Sequence, residues 1–449
     1  MPLSRARILT FYLLGLFLDL INTYIASVAS PIIGKALAAS VAEVAWISTA
    51  YVLGLTLAIP ASTWLAQRLG LKSLLIGSLV LFGVATGLTA VATDIGTLLG
   101  LRFMQGAGGG LFIPAGQALV YAQYRREERS QLATLILAVG LIAPALSPMI
   151  GGFIVSTLSW HWVFLCTLPP TVIAIGLGLW WLPKDSERAS NVAFDFKGFA
   201  MGVPALALML LGLTDFSEGK FAVGFSQVVA AIGFAALYLW HYRRSDHPLL
   251  DLSLLEDRLL RFGVLVYHAI TGLFIGINIL AMLYLQEVLG ISPTKAGSLM
   301  LPWTVGAGIG IFLNGKLYKR VGPSPLLAVG AILQAIGFFL LSRSTEQSDM
   351  LLLGTIYGLM GLGGSICTST AQSGAFMNIP IQRLNQASAL WGVNRQVAFC
   401  SGVTVTSVTF SLLTNLVEPA AAYRISFLIA ALSVVIPIYM SLRIRRLSV

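Results

Sequence analysis

Fourteen apolar stretches separated by short charged loops constrain this chain more than any other feature of it. Each is about the 20 residues that a helix needs to cross a bilayer. In hydrocarbon a single segment satisfies its own backbone polar groups only as a helix, so the run of stretches predicts an all-α, polytopic membrane protein. They lie approximately at 9–33, 44–66, 73–93, 97–121, 131–156, 162–182, 196–213 and 221–240, then at 262–285, 292–317, 326–341, 350–376, 387–413 and 422–442. With 57% hydrophobic and only 10% charged residues in 449, the chain also has too little charge for a soluble surface.

The net charge of +10 could point to nucleic acid, but the lysines and arginines gather in loops on the side shared by both termini. That pattern sets topology: the positive-inside rule places both termini in the cytoplasm, and no nucleic-acid partner is expected. Trp64, Trp160, Trp162 and Trp240 fall near expected helix ends, as an interfacial belt requires. Cys166, Cys367 and Cys400 are odd in number, sit in apolar segments and have no metal-ligand spacing, so neither a disulfide nor a metal site is expected. Arg5 and Arg7 before an apolar run resemble a signal peptide, but Asp19 interrupts the run, favouring an uncleaved first helix. Gly310 to Lys316 nearly spells a phosphate loop, yet Leu317 stands where Ser or Thr is required. With no HExxH or GxSxG inside the spans, an enzyme is not the expected reading and no cofactor is implied beyond a proton gradient.

The informative residues are the polar ones inside the spans. In Leu101 to Leu111, LRFMQGAGGGL, a helix places Arg102, Gln105, Gly106, Gly109 and Ile113 on one face, a polar head followed by a glycine track. Such a face suits an aqueous path beside a close helix contact; alternatively the glycines only permit packing and Arg102 snorkels to the interface. Asp19 is the one acid near the middle of a span. Desolvation favours the uncharged form of a buried carboxyl, which suits proton exchange, and makes Asp19 the coupling candidate together with Arg102. The other reading is a permanently paired structural acid, with Arg102 as a partner. Asn22 shares its face one turn on.

In the fifth span Gly140, Pro144, Pro148 and Gly152 recur every four residues, beside a small-residue stripe of Ala143, Ser147 and Gly151. Two prolines kink the helix, which fits either a gate or a bent packing helix. Asn22, Gln105, Gln117, His268, Asn278, Gln372 and Arg395, with Trp303 and Trp391, are candidates to line a substrate cavity, and ordinary helix packing is an equally open reading for them. WLAQRLGLKSLL at Trp64 and KLYKRVGPSPLL at Lys316 match at an offset of 252, with Arg68, Gly70 and Leu74 answering to Arg320, Gly322 and Leu326. The offset fits six spans plus two. Repeated halves are common in transporters, which bind substrate between the repeats.

Together these residues resemble the major facilitator superfamily, and within it the fourteen-span drug:proton antiporters. Arg102 to Gly110 is similar to the family's fourth-helix RxxQGxG motif, Gly140 to Gly152 to its fifth-helix antiporter motif, and Trp160 to Pro169 to the stretch that follows. The segment at Asp195 and HPLLDLSLL at His247 resemble those bounding the inserted helices. The chain departs from the pattern where the first-helix acid aligns with Asn22 rather than Asp19. It departs again in the loop latch, where Thr63, Gln67 and Leu71 replace the usual residues while Arg68, Gly70 and Lys72 remain, with Gly315, Arg320 and Gly322 in the second copy. Ser147, His161 and Thr167 also differ.

The resemblance implies two six-helix bundles, 1–190 and 246–449, with two inserted helices in 191–245. It further implies a proton-coupled transporter in a bacterial-type inner membrane that exports amphipathic or cationic drug-like compounds by alternating access. Arg102 would hold the site's electrostatics, Asp19 would exchange the proton, and the fifth span would gate. Its partners would be a small-molecule substrate, protons and the bilayer, and the resemblance admits a periplasmic adaptor and an outer-membrane channel. A dedicated metabolite exporter, a proton-coupled importer, and more distantly a non-transporting sensor are the alternatives, since one fold hosts many functions.

Overall fold

The computed structural model describes residues 2–185, 193–246 and 248–445, and every regular element among them is helical. The membrane-length helices are α1 (Arg5–Ala36), α2 (Glu43–Leu69), α3 (Leu71–Thr89), α4 (Ile95–Ala122), α5 (Arg126–Thr157), α6 (His161–Trp181), α7 (Phe196–Ser217) and α8 (Phe221–Tyr242). The second set is α9 (Arg258–Glu287), α10 (Pro293–Val321), α11 (Pro323–Ser342), α12 (Met350–Ala375), α13 (Ile381–Thr414) and α14 (Pro419–Tyr439). Thirteen of these are apolar enough to cross a membrane by composition alone. The exception is α4, 28 residues long but diluted by Arg102, Gln105, Gln117 and its glycines. It is wedged between α2 and α3, so protein rather than lipid surrounds its polar groups. The expected boundary at 190/191 and His247 lie outside the described residues.

Helices α1 to α6 pack on one another as one bundle and α9 to α14 as the other. The repeat seen in the loops extends into the helix contacts. A methyl group on Gly54 of α2 would fall 2.0 Å from the Phe103 carbonyl oxygen of α4, and one on Gly306 of α10 would fall 2.1 Å from that of Gly358 of α12. The reciprocal contacts, Gly106 on Tyr51 O and Gly361 on Trp303 O, would be 2.0 and 2.2 Å. Gly54 and Gly306, like Tyr51 and Trp303, stand 252 residues apart. Backbones this close leave no room for a Cβ, so each bundle is built on the same glycine-lined crossing.

The inserted α7 and α8 pack together, and α7 leans on both α2 and α13, with Thr404 Oγ1 donating to Leu213 O at 2.8 Å. A strap from α8 to α9 is fastened beside them. Asp195 caps α7 and also accepts from His241 Nε2 (2.6 Å) and Leu249 N (3.1 Å), Tyr238 accepts from Leu250 N (2.9 Å), and Arg383 bridges to Asp251 (2.5 Å). The end of the molecule that carries the N-terminus, here the terminal end, is marked by Arg5 bound to Glu128 at 2.8 Å. At the opposite end Asp94 caps α4, and the hydrogen bonds from Thr97 hold its carboxyl below the usual range.

Candidate functional site

The guanidinium of Arg102 is completely buried, 0% exposed, and so does not snorkel. Its Nε donates to Ile47 O at 3.1 Å, and its Nη1 donates to Asn22 Oδ1 at 2.8 Å and Gln105 Oε1 at 2.7 Å. Gln105 passes the chain on to Thr86 Oγ1 (2.6 Å), and Asn22 donates to Thr167 Oγ1 (3.3 Å). One face of the guanidinium lies 4.4 Å from the Tyr51 ring centre. A buried charge is stable only with such a shell, each charge-assisted bond contributing about 1.5–3 kcal/mol. The shell here is made of neutral groups, and Nη2 has no partner among the described residues.

Asp19, 3% exposed, makes no ion pair with Arg102 among the described residues. Instead Tyr51 stands between them: its hydroxyl donates to Asp19 Oδ1 at 2.5 Å while its ring faces the guanidinium. The carboxylate is tucked against α4 at Gly109, where a Cβ would come within 1.9 Å of Oδ1. The glycine track is therefore a packing face: Gly106 and Gly110 meet the backbone of α2, and Gly109 makes room for the acid. The aqueous path expected along it is not what that face forms here. A small crevice of about 10 Å³ adjoins Asp19 on the α3 side, lined by Gly15, Leu79, Phe82 and Phe112 among others. Asn22, where the family pattern has its acid, binds Arg102, and Asp19 one turn earlier binds Tyr51, so the two positions belong to one network.

In α5 the stripe of Ala143, Ser147 and Gly151 is buried, with Gly151 against Ile25 of α1, while Pro144 and Pro148 sit on a more open side. A Cβ on Gly140 or Gly152 would meet nothing within 4 Å. On the other bundle, His268 bonds to Ser401 and Asn394 (both 3.1 Å), and Trp303 stacks on Phe274 at 5.3 Å. Asn278 Oδ1, Trp303 Nε1 and Gln117 Nε2 are buried without partners among the described residues. Arg395 of α13 is half-buried, and its charge acts on Asp19, Tyr12, Tyr24 and Tyr267, so it faces the first bundle from the second.

Trp391 has a different place. It packs edge-on against Tyr267 (5.0 Å) and Phe376 (6.0 Å), and Phe376 meets Tyr121 of α4 at 4.6 Å, forming an aromatic plug between the bundles at the terminal end. Gln372, also buried, lies one turn from Phe376. Beside the plug Arg129 Nη1 donates to the carbonyls of Phe376 (2.5 Å) and Ile379 (2.9 Å), Arg126 bonds to Asn378, and Gly315 lies against Thr134. The bundles are thus joined across the terminal end.

The latch residues sit on the same end. Lys72 Nζ donates to Leu179 O (2.7 Å) and Leu182 O (3.0 Å), tying α3 to α6, while Gln67, Arg68 and Arg320 lie on the surface. Gly70 and Gly322 have φ of 88° and 80° with extended ψ, a backbone region open essentially to glycine alone. Asp185 caps α3 through Lys72 N (2.9 Å) and Ser73 N (3.0 Å). Sequence reasoning did not find Tyr51, Thr86, Asp185, Arg129 or Phe376. Tyr51 had a signal, since it occupies the position of Trp303 in the repeat; the others are set by long-range packing.

With this geometry in hand, the comparisons with known proteins are consistent with one another. The family model "Major Facilitator Superfamily" matches residues 12–402 and 264–447. The chain is 31% identical over 375 residues to a "Multidrug resistance protein B homolog" of Mycobacterium tuberculosis, covering 82% of this chain and 69% of the relative. The human organic anion transporter MFSD10 (TETRAN) superposes with a TM-score of 0.69 at 16% identity, covering 97% of this chain and 99% of that one. The proton:xylose symporter XylE does so with a TM-score of 0.65 at 17% identity, covering 97% and 94%. At these identities the structures speak for the fold alone.

Proposed function

The chain belongs to the Major Facilitator Superfamily, and from that premise we propose that it exports amphipathic or cationic organic compounds across a bacterial-type inner membrane in exchange for protons. Both termini are then cytoplasmic, as the distribution of basic residues requires, and the terminal end is the cytoplasmic gate. The observation that carries the reading is the placement of Asp19. This mid-span acid is held by the neutral donor Tyr51 at 2.5 Å rather than by a cation. A carboxylate not locked to a cation is free to take a proton. If proton and substrate compete for it, binding of one expels the other, and inward proton flow drives the substrate out. Arg102 keeps Asn22, Gln105 and Tyr51 in place around it. Alternating access follows from rocking the bundles so that the contacts at the plug and Arg129 break and re-form.

A second reading, a carrier dedicated to one metabolite, is favoured by Arg395. This half-buried cation has no hydrogen bond among the described residues and faces the first bundle, which suits an anionic group. One experiment separates the two. In everted vesicles with an imposed pH gradient, lipophilic cations, neutral drugs and organic acids are added to wild type and Asp19→Asn. Loss of the gradient with cations or neutral drugs in wild type alone supports drug export; a response to one acid only supports the metabolite carrier. No response to any compound refutes proton-coupled export.

A further inference from the structure

The outer face of α8 is turned to the bilayer and ends in charge. Phe225, Val229, Ile232, Ala236, Leu239 and Arg243 follow one another at spacings of four and three, so they form a single stripe on one helix face. The stripe is turned away from the protein: Phe225 is 64% exposed, Val229 51% and Ile232 57%, while Gly224, Ala231 and Tyr238 on the opposite face are buried against α7. At 1.5 Å per residue its 18 steps span about 27 Å, close to the hydrocarbon thickness of a bilayer. Gly233 beside it has no atom within 4 Å of a would-be Cβ, which leaves the face shallowly grooved.

At the terminal end this apolar track runs into charge. A shallow, open hollow is lined there by Ala236, Leu239, Trp240, Arg243 and Arg244. Arg244 is folded over the Trp240 ring at 4.2 Å with Nη1 on Trp240 O at 3.3 Å, and Arg243 makes no ion pair among the described residues. Two of the neighbouring acids are engaged elsewhere, Asp195 by His241 and Asp251 by Arg383; exposed Asp246 shares the adjoining cavity with Arg243. Two guanidiniums beside an aromatic wall and at the end of an acyl-length apolar track match one chemistry: a phosphate carrying an extended hydrocarbon chain.

We propose that the end of α8 is a binding site for an anionic phospholipid, with its headgroup phosphate on Arg243 and Arg244 and an acyl chain along the stripe from Leu239 to Phe225. The position has a consequence. The strap that leaves this site is fastened to α7 at Asp195 and to α13 at Arg383, so an occupied site braces the inserted helices against the second bundle.

The test is native mass spectrometry of the full-length protein in detergent, titrated with phosphatidylglycerol, phosphatidylcholine or inorganic phosphate. It compares wild type, the double variant Arg243→Gln with Arg244→Gln, and the control Lys319→Gln on the same end of the molecule. At about fivefold per basic residue near an anionic headgroup, the double variant binds phosphatidylglycerol about 30-fold more weakly, and the control is unchanged. Thermal unfolding in phosphatidylcholine, expected to match wild type, verifies that the double variant is folded. Equal binding of phosphatidylcholine, undiminished binding by the double variant, or displacement of phosphatidylglycerol by equimolar phosphate each overturns the proposal, the last by making the site one for a free anion.

Discussion

Gly109→Ala is the smallest change that reaches the centre of the account. The added methyl would lie 1.9 Å from Asp19 Oδ1 and 3.4 Å from the Tyr51 hydroxyl. Neither wall can retreat cheaply. Helix α4 is held by Gly106 and Gly110 at the closest approach the α2 backbone allows, and Oδ1 is held by Tyr51 at 2.5 Å. Relief therefore requires the carboxylate to swing off Tyr51. Loss of one charge-assisted hydrogen bond costs about 1.5–3 kcal/mol, and the remaining overpacking about 1–3 kcal/mol. The expected destabilisation is about 2.5–6 kcal/mol, together with loss of proton-coupled transport. Gly77→Ala, at a helix position with nothing within 4 Å, is the matched control and is expected to be neutral or slightly stabilising. The assay is thermal unfolding in nanodiscs alongside vesicle proton flux, and Asp19→Ala, which removes the obstructing group but also the bond to Tyr51, should restore to Gly109→Ala only the overpacking part, about 1–3 kcal/mol. If Gly109→Ala is as stable and as active as Gly77→Ala, the placement of Asp19 against α4 is wrong.

Three further substitutions address other parts of the molecule. Arg129→Ala removes the bonds to Phe376 O and Ile379 O, and loss of even one charge-assisted bond, about 1.5–3 kcal/mol, shifts the terminal end roughly tenfold or more toward its open state. The shift is read as faster thiol labelling of a cysteine placed at Thr134, and unchanged labelling would show that the gate is held elsewhere. Gly70→Ala and Gly322→Ala both incur a backbone cost of about 1–3 kcal/mol, but only the former adds a collision, its Cβ falling 2.1 Å from Asp185 Cγ while that of Gly322 meets nothing. Unfolding should rank Gly70→Ala as the more damaging, and the reverse order would contradict the Asp185 cap.

Much of the architecture was legible because its cause is local. Hydrocarbon requires helices of a minimum length, and the apolar runs record that requirement residue by residue; α4 was recognisable as a span despite its low hydropathy because Arg102 and Gln105 share one face. The inserted pair followed from the length of the repeat offset. At the site, the sequence marked Asp19, Asn22 and Arg102 as unusual but could not say how they are held, since Tyr51 reaches them only when α2 crosses α4 at its glycines. The same limit hid the plug. Trp391 looked like a cavity residue, yet it contributes to the closure because Phe376 and Tyr121, remote in sequence, are brought to it. Of the readings the glycine track leaves open, the close helix contact is the one it forms, because the backbone of α2 fills the face at Gly106 and Gly110.

The central claim is that Asp19 couples proton movement to transport rather than supporting the fold. It is tested most directly in proteoliposomes by comparing substrate counterflow, which needs no gradient, with uphill transport driven by an imposed pH gradient, in wild type and Asp19→Asn. The account predicts that Asp19→Asn keeps counterflow, because Tyr51 and Arg102 still have partners, and loses the gradient-driven component. Gradient-driven transport that survives in Asp19→Asn at the wild-type level would contradict it.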